Sequence, residues 1–188
     1  MAWAEKQFEE SMHPHINSIY RRLFSNLTEI KRSDRTKECD QKILFMDKEL
    51  AIDTFLHFKD GTILTMQEKT RTERILKMFG PDFTFEYYNN PDTKEQGEWF
   101  KLAAQMYFYG YARADNAGYI RYWLMNIPKL RIFLKNEIGL SELEKKYLRR
   151  NRPPARANFF AIPFAILRSD CIMYDSDSSP RKIKNRAA

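Results

Sequence analysis

Stretches with helical and with strand periodicity alternate along this chain, which predicts a domain of the α/β (α+β) class. Three observations carry that expectation. The first 28 residues place Phe8, Met12, Ile16, Ile19, Tyr20, Leu23 and Leu27 mostly three and four apart, as one face of a helix requires. Residues 42–70 instead hold β-branched and aromatic residues, punctuated near Asp47-Lys48 and at Lys59-Asp60-Gly61. At 188 residues and 43% hydrophobic, the chain can bury one sizeable core.

Element by element, a helix is expected over 3–28, interrupted at Pro14 because proline removes a helical hydrogen bond. The polar run 28–40 reads as a loop. Residues 42–70 read as three strands of a meander, with Asp60-Gly61 as the tight turn of the second hairpin. A fourth strand is expected at 83–89 and a loop at 89–96. A helix follows over 97–114, with Gly97 at its start, then a strand at 118–127. Pro128 suits the first turn of a helix over 128–138. Ser141, with Glu144 three residues on, reads as the cap of another helix over 141–150. Residues 151–158 read as a loop, 159–167 as an apolar segment and the last dozen as a frayed tail. The expected division is a core over 1–127, a C-terminal helical and basic extension over 128–180 packed on it, and a basic disordered tail over 181–188.

Composition narrows the function. No apolar run approaches the roughly 20 residues needed to span a bilayer. The N-terminal stretch is charged and lacks an apolar signal core, so a cytoplasmic protein without a membrane partner is expected. Two cysteines, Cys39 and Cys171, do not make a disulfide framework. His13 and His15 are two apart and do not share a helix face, so a structural zinc site is not expected. The net charge is +7 and unevenly spread. Between Lys129 and Arg156 there are nine Lys or Arg against three Glu, and the last eight residues add four more cations. A basic flank on a near-neutral body suits a polyanion.

The stretch AIDTFLHFKDGTILTMQEKTR, residues 51–71, raises a chemical question. Side chains alternate along a strand, so Asp53 shares a face with Phe55 and His57, and Gln67 shares one with Lys69 and Arg71. Folding the hairpin at Asp60-Gly61 brings Asp53 opposite residue 68, or, one residue over, beside Gln67 or Lys69. An acid, an amide oxygen and an ammonium then line one edge of the hairpin. Burying such groups is costly without partners. A surface ion pair on a solvated face would satisfy them. So would a magnesium ion held by the two hard oxygens, with Lys69 acting on a phosphate or a water. Glu9, between the apolar positions Phe8 and Met12, would supply a further carboxylate.

The same residues resemble the PD-(D/E)XK, or restriction-endonuclease-like, nuclease superfamily, in which an Asp on one strand is followed across a hairpin by (E/D)xK. Residues 1–127 also follow its αβββαβ order. The resemblance implies a metal-dependent DNA endonuclease using Mg²⁺ or Mn²⁺. Asp53 then looks like the metal-binding aspartate, Gln67 the second ligand and Lys69 the catalytic lysine. Glu9 looks like the helix acid of Holliday-junction resolvases and some homing endonucleases. The chain departs from the pattern at Gln67, where an acid is usual, which makes it a QxK variant, and at Ile52, where Pro is common. Glu68 points to the other face and does not replace the missing charge. Gln105 and Tyr109 form QxxxY, similar to a helix motif of RecB-type nucleases. Arg71, Arg74 and Lys101 are the expected phosphate contacts, and Tyr87, Tyr88, Tyr107, Tyr109 and Tyr111 offer ring faces to bases. A homodimer would supply the two sites that cutting both strands calls for. The gap at Gln67 also fits a catalytically inactive nuclease-fold module that binds DNA or assembles with other proteins.

Overall fold

A computed structural model describes residues 3–33, 45–46, 49–151 and 157–177. Helix α1 (Trp3–Leu23) runs through Pro14 as a single element. It is followed by β1 (Leu27–Arg32), β2 (Thr54–Phe58) and β3 (Ile63–Thr72). A long crossover comes next: α2 (Glu73–Phe79), β4 (Asp82–Asn90), β5 (Glu95–Gln96) and α3 (Glu98–Lys101). Then come β6 (Met106–Ala112), β7 (Tyr119–Asn126), α4 (Ile127–Ile132), a π-helical turn (Phe133–Ile138) and α5 (Leu140–Tyr147). The chain ends its described part with β8 (Leu148–Arg150), β9 (Asn158–Pro163), a 3₁₀ turn (Phe164–Ile166) and β10 (Ile172–Asp175).

Two sheets result. The first has six strands in the order β1-β2-β3-β6-β7-β10, and the second has four in the order β5-β4-β9-β8. In the first sheet only β3 and β6 run parallel; every other neighbour is antiparallel. A parallel pair cannot be closed by a tight turn, which is why so much chain lies between β3 and β6. Helix α1 covers one face of this sheet, where Ile16, Ile19, Tyr20 and Phe24 pack with Leu56, Met66, Phe108 and Leu124. The other face meets the second sheet and the 127–147 helices, through Phe83, Phe85, Tyr107, Tyr109, Trp123, Leu134 and Phe160. The six-stranded mixed sheet flanked by helices is thus of the expected α+β kind. Residues beyond 127 complete both sheets: β9 pairs with β4, and β10 with β7.

Several elements differ from expectation for definable reasons. The first strand of the meander is Leu27–Arg32, not a segment near 43–50; residues 45–46 and 49–50 are helical. As an edge strand, β1 carries charge along its exposed side, where Lys31 pairs with Glu29 at 3.3 Å, and so it reads as loop. The helix expected over 97–114 is only four residues long, and Met106–Ala112 is a strand. All seven residues of β6 are buried, so it shows no two-residue alternation. Its Gly110 is obligatory, since a Cβ there would sit 2.5 Å from the Tyr119 ring. Gly139, with φ of 85°, rather than Ser141, precedes α5, and Glu144 accepts a hydrogen bond from the Tyr87 hydroxyl at 2.8 Å instead. The tail over 181–188 and Cys39 lie outside the described residues; Cys171 is buried and unbridged. Among the described residues, no helix is long and apolar enough to cross a membrane.

Candidate active site

The hairpin fixes the candidate residues. Gly61, at φ of 82°, takes the left-handed turn, and the Asp60 carboxylate accepts from the Thr62 N–H at 2.9 Å. Thr54 then pairs with Met66, so Asp53 falls opposite Gln67. The Asp53 N–H donates to the Met66 carbonyl at 2.9 Å. Its Oδ2 accepts from the Glu68 N–H at 2.8 Å. A carboxylate fixed by a main-chain N–H is oriented without any long side chain having to be ordered.

The parallel β3–β6 pairing builds the rest. Gln67 aligns with Tyr107, Lys69 with Tyr109 and Arg71 with Tyr111. Paired residues point to the same side, so these six share the face away from α1. Lys69 Nζ donates to Glu98 Oε2 at 3.1 Å, with both side chains largely buried. The other oxygen of Glu98 accepts from the Tyr107 hydroxyl. Burial holds that phenol well above its ordinary pKa, and the charges of Glu98 and Asp53 push it further up. Asp53, Glu98 and Lys69 are therefore neighbours in one electrostatic cluster around Tyr107. The Gln67 Oε1 is buried there with no hydrogen-bond partner, an oxygen that ordinarily costs about 1–3 kcal/mol to leave unsatisfied.

Glu98 is the residue that sequence reasoning missed: it lies 29 positions from Lys69 in the chain, and only the packing of α3 against β3 and β4 brings the two together. Gly97 gives it access: a Cβ at 97 would stand 2.7 Å from the Glu86 carbonyl oxygen, so only glycine lets α3 start against β4.

Glu9 does not join this cluster. Helix α1 covers the opposite face of the sheet, and the charge of Glu9 acts on Tyr119, whose hydroxyl is 2.7 Å from Thr70 Oγ1. Helical spacing identified the polar side of α1 but not which face of the sheet it would cover. On that face Glu68 forms a buried ion pair with Arg32 and accepts from Tyr20 at 3.0 Å, while Arg32 also donates to Thr54 at 2.9 Å and Asn17 at 2.6 Å.

The nucleic-acid contacts divide. Tyr109 is fully buried, as are Tyr107 and Tyr111, so none presents a ring to a base. Arg71 donates to Thr84 at 2.9 Å beneath β4, and Thr84 is 3.0 Å from the Tyr109 hydroxyl. Burial alone would lower the Arg71 pKa, but Tyr109, Tyr107 and Glu98 together raise it. It is an internal cation rather than a surface one. Gln105 and Tyr109 do not share a helix face: Gln105 precedes β6 and its Oε1 accepts from the Thr65 N–H at 3.0 Å. Arg74 is exposed on α2, and Lys101 half-buried at the end of α3.

Among the described residues, no group of three His, Cys, Asp or Glu side chains is placed to hold a metal. Any cation held at the Asp53 cluster therefore depends on the Gln67 amide oxygen. No protein-family model matches the chain, and no curated protein and no solved structure gave a significant match.

Proposed function

We propose that this protein is a metal-dependent DNA endonuclease of the restriction-endonuclease-like type, hydrolysing phosphodiester bonds at Asp53, Gln67 and Lys69. One observation carries the reading: these three residues lie on a single face of the β2–β3 hairpin, in the D…QxK order, with the Gln67 oxygen buried and unsatisfied. The strand order supports it. After α1, three antiparallel strands are followed by a crossover to β6, parallel to β3, in keeping with the αβββαβ order of the resemblance. The long 97–114 helix of that scheme is replaced by α2, β4, β5 and α3.

The residues present fit Mg²⁺ or Mn²⁺. Asp53 and Gln67 supply hard oxygens, and Glu98 is the carboxylate close to Lys69. Bound there, such an ion supplies Lewis-acid polarisation of the phosphate and a lowered pKa for water. The chain's own residues do the remaining work. The Glu68 N–H keeps the Asp53 carboxylate aimed along the site. Glu98 holds the Lys69 ammonium in place, where it positions the attacking water or offsets charge on the phosphate. The second sheet and α3 limit water around both.

The test is nicking of supercoiled DNA in Mg²⁺ by the whole chain and by Asp53→Ala. Mg²⁺-dependent cleavage by the wild type, abolished in the variant while DNA binding survives, is the expected result. Equal nicking by the two would end the proposal. A specific observation favours the second reading, a nuclease-fold DNA-binding or assembly module without activity. Lys69 is already neutralised by Glu98 at 3.1 Å, and Gln67 leaves the site a charge short. Calorimetric titration with Mn²⁺ in the presence of DNA separates the two, because the module takes up no ion.

A further inference from the structure

The crossover helix α3 carries a second feature, two residues from Glu98. Phe100 is 37% exposed and stacks on Tyr87 (centroids 5.1 Å apart, planes at 28°) and on Tyr88 (5.8 Å, 28°). Tyr107 and Tyr109 pack inside the core, and Tyr87 anchors this set to it. This set instead comes to the surface at the margin between α3 and β4. In a helix, residues two apart point to nearly opposite sides. Glu98 therefore turns inward to Lys69 while Phe100 turns out.

A cation lies in the same cross-strand row as Tyr88, two strands away. Tyr88 pairs with Asn158, and Asn158 pairs with Arg150, so the three form one cross-strand row over β4, β9 and β8. Arg150 is 62% exposed and pairs with an equally exposed Asp92 at 3.6 Å. Ion pairs of that sort contribute little and exchange readily for phosphate. Within this row the Oδ1 of Asn158 is buried without a partner. The α5–β8 stretch 145–150 adds Lys145 and Lys146, which pair with the half-exposed Glu142 at 4.0 and 3.1 Å, and Arg149, on the other face of β8 from Arg150.

Exposed rings flanked by a basic stretch are what unpaired nucleotides require, because every base has a face to stack and every linkage a charge to neutralise. A duplex hides its base faces and would gain nothing from Phe100. We infer that the Phe100–Tyr88 surface, with Arg150, is a binding platform for single-stranded DNA. Resting on the endonuclease reading, this makes the substrate a single strand, or a duplex with an unpaired flank. A base stacked on Phe100 would lie on the outer side of the four-residue helix whose inner side supplies Glu98 to the site.

The experiment measures fluorescence anisotropy of labelled dT₂₀ and of a 20-base-pair duplex, with EDTA present so that cleavage plays no part. The full chain is compared with Phe100→Ala, Phe100→Trp and Arg150→Ala. Tighter binding of dT₂₀ than of duplex is expected. Phe100→Ala should weaken dT₂₀ binding roughly tenfold and leave duplex binding unchanged. Phe100→Trp should restore affinity and show quenching of its own emission on binding, a sign of stacking that a change in fold would not produce. Arg150→Ala should flatten the salt dependence by about 0.7 in log–log slope. A preference for duplex, or an unaltered dT₂₀ affinity in Phe100→Ala, overturns the platform whatever the nicking assay shows. Conversely, Phe100-dependent dT₂₀ binding without Mg²⁺-dependent cleavage keeps the platform and rejects the nuclease.

Discussion

The two faces of β3 are built from the same ten residues, yet they carry different polar chemistry. Toward α1, Glu68 and Thr70 enter dense networks: Glu68 meets Arg32 and Tyr20, and Thr70 meets Tyr119, while the Arg32 Nε there stays buried without a partner. Toward the second sheet, Gln67 keeps a buried oxygen without a partner, and Lys69 depends on an acid from a four-residue helix. A densely bonded buried network mainly orders a fold, whereas a buried carbonyl oxygen left unpaired beside an ion pair is a candidate for ligand chemistry. The proposed function puts reaction on the second face and leaves a structural part to the first, and each substitution below tests that division.

Lys69→Ala has the largest expected effect. Under the proposed function it removes the cation that would face the phosphate, and cleavage in Mg²⁺ should fall by about two to three orders of magnitude, the scale for losing one charge-stabilising donor. It also leaves the buried Glu98 without its partner, so a fall in stability accompanies the loss. Single-turnover cleavage below the melting transition separates the two effects.

Glu68→Ala is the control from the opposite face and comes second. It strands the Arg32 guanidinium, whose ion pair is largely buried, at a cost of about 3–5 kcal/mol. Thermal unfolding should report a midpoint lower by roughly 6–20 °C, at about 2–4 °C per kcal/mol for a chain of this size. The substitution keeps the Glu68 main-chain N–H, the group that orients Asp53. Cleavage at a temperature where the variant is folded should therefore stay within a few-fold of wild type. A loss there as deep as that of Lys69→Ala would show that the faces are not separate.

How far the sequence shows this division depends on the residue. The 51–71 hairpin is legible because Asp60-Gly61 fixes the turn and alternation fixes the faces; the observed register lies one residue from the simplest count, which is the shift that aligns Asp53 with Gln67. Strand β6 is illegible because Met106–Ala112 is buried on both sides, and a continuous aromatic run fits a strand and a buried helix equally. Strand β1 hides behind its charges. Glu9 and Glu98 show a deeper limit. Periodicity places a residue on a face of its own helix, but tertiary packing decides which sheet face that helix covers, so the helix acid came from the wrong helix.

Gly97→Ala probes how Glu98 is held and ranks third. The added Cβ would meet backbone atoms of Glu86 at 2.7–2.8 Å, which cannot rotate away, so β4 and the start of α3 must part. Strain of this kind typically costs about 1–3 kcal/mol. Because α3 starts at that point, the shift should also draw Glu98 from Lys69. Cleavage is expected to fall more than the lost stability explains, and a cleavage rate unchanged at matched folded fraction would mean that Glu98 has no part in the site.

Gln67→Glu should have the smallest effect and sharpens the comparison instead of breaking it. The amide oxygen is already buried and unpartnered, so a carboxylate fits its place with little change in shape. Without a cation, the new charge faces Asp53, and like charges at one site disfavour each other. Lys69, two residues along the same face, offsets part of that. In EDTA the variant should melt slightly below wild type. With Mg²⁺ the second anionic oxygen should lower the half-saturating concentration for cleavage several-fold and return the melting point to or above that of wild type, since binding to the folded state alone stabilises it. The reverse substitution one position on, Glu68→Gln, removes a charge toward α1, where no ion is proposed. There the melting point should drop equally in Mg²⁺ and in EDTA. A Mg²⁺-dependent rescue of Glu68→Gln would place the cation on the other side of the strand, and its absence in Gln67→Glu would remove the cation from Gln67.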